Sequence, residues 1–140
     1  MSTFYSDAAA ASVNTRTSLG VNVVIGTYEL GAALAANDVI EMVKVPENAI
    51  IDEIILEASD LDTGGTPAIT LDVGDGSDTD RFIDGSTVGK NGGVDRLGAS
   101  LGYKYTANDT IDIKVATGPA TGATTGTIKL LVQYHMDGFN

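Results

Sequence analysis

The stretch from Ala49 to Asp84, AIIDEIILEASDLDTGGTPAITLDVGDGSDTDRFID, limits what this chain can fold into more than any other. Ile50, Ile51, Ile54, Ile55 and Leu56 fall within seven residues, and the acids Asp52, Glu53 and Glu57 interrupt or follow them. Such a run suits a strand with both faces at least partly covered. Asp60 to Gly65 (DLDTGG) is a turn cluster. Ala68 to Val73 then reads as a second strand, with Ile69, Leu71 and Val73 on one face. The pair is expected to form a β-hairpin or arch at the centre of an all-β domain. The same stretch holds seven aspartates between Asp60 and Asp84.

The rest of the chain extends that pattern. Val21 to Leu30 reads as a strand, with Gly26 as a bulge. Asp38 to Val45 is another, closed by Pro46, which cannot donate to a central ladder. Arg81 to Ile83 is a short strand, and Gly85 to Gly93 is a loop containing the turn dipeptide Asn91–Gly92. Leu101, Tyr103 and Tyr105 alternate as one strand face. Ile111, Ile113 and Val115 follow at period two, as do Ile128, Leu130, Val132, Tyr134 and Met136. Residues 1–20 show no sustained period and are expected to form an N-terminal arm with few core contacts, with Phe4 and Tyr5 as anchors. Residues 21–140 are expected to form a single β-sandwich domain. The fold class is thus all-β, a two-sheet antiparallel sandwich of about eight strands, most economically a jelly roll. Ile54, Leu56, Leu71, Ile111, Ile113, Leu130 and Val132 are its expected core.

Length and composition agree with this. One domain of 140 residues can bury a core without staples. The absence of cysteine excludes thiol nucleophiles and structural Cys-zinc sites. The formal charge of −11 is concentrated: Glu29 to Lys90 holds 14 acids against 3 bases, whereas residues 91–140 carry 4 of each sign. That excess argues against nucleic acid, which demands clustered Lys and Arg. No segment reads as a membrane span or a secretory leader, so synthesis in the cytoplasm is expected.

Catalytic chemistry finds little support. A nucleophilic triad needs a histidine base. The one histidine, His135, lies on the outward face of the last strand. Gly85 to Asn91 (GSTVGKN) fails as a phosphate loop in its glycine spacing and in placing Asn91 where a hydroxyl is needed. Asn108–Asp109–Thr110 matches a glycosylation sequon but reads as a turn. Asp72, Asp75, Asp78 and Asp80 either close tight turns, the reading their Gly-rich setting favours, or supply oxygens to calcium. Their spacing is not that of an EF-hand. A carbohydrate-binding module would need an exposed aromatic platform, for which Tyr103 with Tyr105 is the candidate pair. The expectation is no catalytic residue, no metal ligand and no cofactor.

Several short motifs carry a resemblance. They are Gly26 to Leu30 (GTYEL), Ala36 to Ile40 (ANDVI) and Val45 to Ile51 (VPENAII). Asp60 to Asp62 (DLD), Leu71 to Asp75 (LDVGD), Asp80 to Gly85 (DRFIDG) and Gly126 to Leu130 (GTIKL) continue it. Together they span residues 26–134 and resemble small virion proteins of tailed bacteriophages, similar to capsid decoration (cement) and head proteins with jelly-roll folds. The resemblance implies a non-enzymatic structural protein on the virion capsid surface, made in the host cytoplasm. Its implied partner is the major capsid protein, bound as a homo-oligomer with a trimer favoured and with neither nucleic acid nor membrane involved. A tail or fibre-attachment protein, or a calcium- or carbohydrate-binding module, is the alternative.

Overall fold

A computed structural model describes residues 2–10 and 20–137. Among these, nine strands build two sheets: β1 (Thr3–Tyr5), β2 (Asn22–Glu29), β3 (Val39–Val45), β4 (Ala49–Ala58), β5 (Thr70–Gly74), β6 (Ile83–Ser86), β7 (Gly93–Arg96), β8 (Asp109–Thr117) and β9 (Thr127–Met136). One short helix, α1 (Asp7–Ala10), follows β1, and a 3-10 turn spans Val88–Lys90. The sheets run β1-β3-β8-β5-β6 and β2-β9-β4-β7.

The order of β2 to β9 is that of one long hairpin wrapped around a core. β2 pairs with β9, β3 with β8 and β5 with β6, while β4 and β7 are neighbours in the other sheet. This is the expected jelly roll. β4 and β5 lie in different sheets, so the central unit is an arch rather than a hairpin.

The seven expected core residues are all fully buried, and Ile40, Met42, Ile51, Phe82 and Tyr134 join them between the sheets. In β4 the pairing with β9 slips between Ile51 and Glu53, a bulge that spends one residue without turning the strand over. Ile51 and Ile54 therefore both face inward despite their odd separation, and Asp52 and Glu53 sit at the irregularity. Ile50 and Ile55 are left half-buried on the outer face.

Three expectations need correction. Gly26 is not a bulge, since β2 pairs with β9 without a register shift from Asn22 to Glu29. Glycine is required there because a Cβ would run into the Met42 carbonyl and the Ser6 hydroxyl. Leu101 to Tyr105 is not a strand: Ser100 and Gly102 take left-handed φ values of 60° and 81°, and pairing reduces to a single bridge between Ile50 and Lys104. Gly93, expected to end the loop from Gly85, instead opens the edge strand β7, Gly93–Arg96, against Ile55–Ala58.

The N-terminal segment also makes more contacts than expected. Thr3–Tyr5 adds to β3 in parallel, from Val39 to Glu41. Phe4 packs on Tyr28 with ring centroids 5.7 Å apart, and Ser6 and Ala9 are buried. The Ser6 hydroxyl donates to the Met42 carbonyl. Of the two aromatic anchors, Phe4 is thus used by the chain's own core, while Tyr5 stays exposed. Residues 11–19 of the expected arm lie outside the described residues.

Candidate functional site

The acidic loops carry the aspartates that a metal ion would need. Asp75 is 1% exposed and turns into the end of the sandwich. It accepts from Arg81 Nε at 2.8 Å, Tyr105 Oη at 2.9 Å, Ser77 Oγ at 2.9 Å and the amides of Ser77 and Asp78. Burial pushes the Asp75 carboxyl up, but the bonds from Arg81, Tyr105 and Ser77 together outweigh it and hold it below its usual range. Asp72 is turned elsewhere and accepts from the Gly85 amide at 2.8 Å. Asp78 and Asp80 stay with the loop, where a hydrogen bond between their carboxyls raises Asp78. The four aspartates therefore do not converge. Among the described residues no group of three or more His, Cys, Asp or Glu stands close enough to hold a metal ion.

The tyrosine pair is no platform. Tyr105 is buried, and Tyr103 packs edge-on against both Tyr105 and Phe82 at 5.0 and 6.2 Å between centroids. Arg81 lies 4.0 Å over the Tyr103 ring, covering the face a sugar would use. Burial, and then the bond to Asp75, push the Tyr105 hydroxyl up, so it stays a proton donor.

Asp62 is the hub that sequence reasoning missed. It is 1% exposed and accepts from the amides of Gly64, Ala68, Ile69, Ala120 and Thr121 at 2.7–3.2 Å. Burial raises this carboxyl, but the amide bonds from Thr121, Ala68, Ala120 and Gly64 prevail and hold it well below the usual carboxylate range. It ties the β4–β5 loop to the β8–β9 loop, where Leu61 and Thr63 also pair with Ala123 and Thr121. Its signal in the sequence was the Asp60–Asp62 spacing, since the Asp60 carboxylate caps the Asp62 amide at 3.0 Å.

His135 lies outward on β9, as expected, with Nδ1 2.9 Å from both oxygens of Asp52. Asn108 accepts from the Glu47 amide and holds a turn. Gly85 to Asn91 forms the end of β6 and the 3-10 turn, whose Gly89 packs on Leu61 and Ile69. Among the described residues no helix is long and apolar enough to cross a membrane.

A surface remains. On the outer face of the four-stranded sheet, Val21, Val23 and Ile25 are each more than half exposed, as is Val94 on β7. The register puts Ile25 beside Leu131 and Leu131 beside Ile55, so an apolar row crosses β2, β9 and β4. Polar pairs border it: Arg96 in an ion pair with Glu53 at 3.5 Å, and His135 against Asp52 at 2.9 Å. The outer face of the other sheet carries Glu41, Asp72, Asp112 and Lys114. Both outer faces hold carboxylates, Glu29, Glu53 and Glu57 on the four-stranded sheet, and the apolar row is what sets that face apart. The signal for this was the run VNVVI, apolar at both parities in a strand at a sheet edge.

No protein-family model and no curated protein matches the chain. Solved structures do. A chain in the capsid of Ralstonia phage GP4 is 34% identical, with a TM-score of 0.80 over 99% of this chain and 100% of its own length. One in the capsid asymmetric unit of cyanophage Pam1 is 30% identical, with a TM-score of 0.79 over 90% and 91%. A third, in the acidic stable capsid of Helicobacter pylori bacteriophage KHP30, is 18% identical with a TM-score of 0.53 over 85% and 95%, a likeness of fold alone. At 30% identity or more to the first two, and along nearly the whole of each, the chain belongs to the family of bacteriophage virion structural proteins that these capsids contain.

Proposed function

We propose that the chain is a capsid decoration (cement) protein, which binds the outside of a phage head and stabilises it without catalysing a reaction. The observation that carries this reading is the end-to-end likeness to chains of two phage capsids. A rigid sandwich whose acidic loops are stapled from within by Asp62 and Asp75 suits a load-bearing cover. The apolar row across β2, β9 and β4 supplies a surface for contact. The partner in this reading is the major capsid protein. Three copies around a three-fold position of the shell would multiply a contact that one small domain cannot make large alone.

Mass spectrometry of purified virions tests it. Copy numbers that match the repeat of the shell lattice are expected. A handful of copies per particle would instead assign the chain to the tail or its fibres. Heads stripped of the protein should also disrupt at lower temperature than heads to which it has been restored.

A further inference from the structure

β2 is an edge strand, and among the described residues half of its edge is closed while half is open. The Leu30 amide donates to the Gly126 carbonyl across the β2–β9 ladder. Because backbone groups in an antiparallel pair alternate sides, the even residues of β2 bond to β9 and the odd ones face away. Thr27 fits that rule, since its amide turns outward and donates to Asp7 Oδ1 at 2.7 Å. Residues Ser6 to Ala9 thus cover the edge at Thr27. Towards the start of the strand the outward groups are those of Val21, Val23 and Ile25, the same residues whose side chains stand exposed on the outer face. At that end Asn22 also keeps a buried Nδ2 donor without a partner. No charged residue lies from Thr17 to Tyr28, so nothing guards this edge in the way a lysine or a bulge would.

We infer that the edge from Val21 to Ile25 accepts an extended, uncharged segment of the capsid shell protein as an added strand. The added strand would bond to the Val23 and Ile25 backbone and rest its side chains beside Leu131 and Ile55. This inference rests on the decoration reading and specifies its contact. A second copy fits the edge less well, because pairing β2 with its own copy is two-fold and closes a dimer. About five open residues also bury far less than the ~1,200–2,000 Å² that a free-standing interface needs. So short a strand addition suits a partner that other contacts already hold in place, which a shell provides.

The test uses the full chain and empty heads stripped of it. Val23→Pro removes an outward amide that the β2–β9 ladder does not use, and proline is tolerated at such edge positions. Ile25→Lys keeps the backbone donor but places a charge on the edge, and Leu101→Lys, at an exposed apolar residue away from β2, is the control. Co-sedimentation should show binding by the intact chain and by Leu101→Lys, and at least tenfold weaker binding by the two β2 variants. Hydrogen exchange should show the Val23 and Ile25 amides fast in the free chain and protected on heads. Binding with these amides still fast, or undiminished binding by Val23→Pro, overturns the inference and leaves decoration standing. Absence of binding by the intact chain overturns both. Protection in the free monomer would assign the edge to the chain's own residues, and protection only in a dimer would assign it to a second copy. Either result overturns the inference.

Discussion

Asp112 is the residue whose surroundings suit it least. It stands on the outer face of β8, opposite Glu41 of β3, and lines a cavity of about 300 Å³ with Asp75, Gly76 and Lys114. Its Oδ1 is buried without a hydrogen-bond partner. Burial is the main reason that its carboxyl is pushed up to about 7. The charges of Glu41, Asp109 and Asp75 add to it, while a bond from Thr110 opposes it. Since the folded value lies above the ordinary 3.8, the native state prefers the proton, and stability falls as pH rises from about 4 to about 7. Asp112→Asn should therefore raise stability at pH 8 by about 1–3 kcal/mol and leave it nearly unchanged below pH ~4, as measured by urea melts across pH. Asp62 has the opposite sign. Its carboxyl is held low, so its contribution is present above the ordinary aspartate range and is lost as pH falls. Asp62→Asn should lower the melting temperature at pH 7, because an amide cannot accept from all five backbone donors, and the deficit should narrow in strong acid.

At the scale of elements, the N-terminal segment is expected to matter more than its sequence suggests. β1 and α1 cover the edge of β3 and bury Phe4, Ser6 and Ala9. Deleting residues 2–10 should cost about 1–3 kcal/mol, the order of one well-buried aromatic side chain, and should be visible as a lower urea midpoint with little change in slope. That segment was illegible because three residues of parallel pairing leave no period to read. β8 and β9 were legible because each alternates, apolar inward and, Leu131 aside, mostly polar outward. The alternation of Leu101, Tyr103 and Tyr105 misled because Ser100 before it and Gly102 within it take left-handed backbone, which no apolar pattern reveals. β7 was hidden in the reverse way: its four residues, GVDR, follow Gly92, begin with a second glycine and pair only at an edge. Of the candidate site, the aspartates were visible as turn formers. Their partners were not, since Arg81 and Tyr105 reach Asp75 across 6 and 30 residues.

For the whole molecule, the core is one cluster shared by both sheets, so damage in either should unfold both. Leu130, fully buried on β9, is the test: Leu130→Ala should cost ~2–5 kcal/mol, with near-ultraviolet dichroism and far-ultraviolet dichroism lost in a single transition. The position of β9 has a further consequence, in time rather than in space. It lies between β2 and β4, which do not touch each other in the sheet, and it follows every other described strand in the chain. Until Thr127–Met136 has emerged from the ribosome, β2 has no neighbour in its sheet and β4 pairs only with β7. The sandwich must therefore close late, at the slow pace of long-range β pairing. A chain halted after Gly126 should be digested by protease at every stage, and resistance should arrive abruptly with the last ten residues of strand.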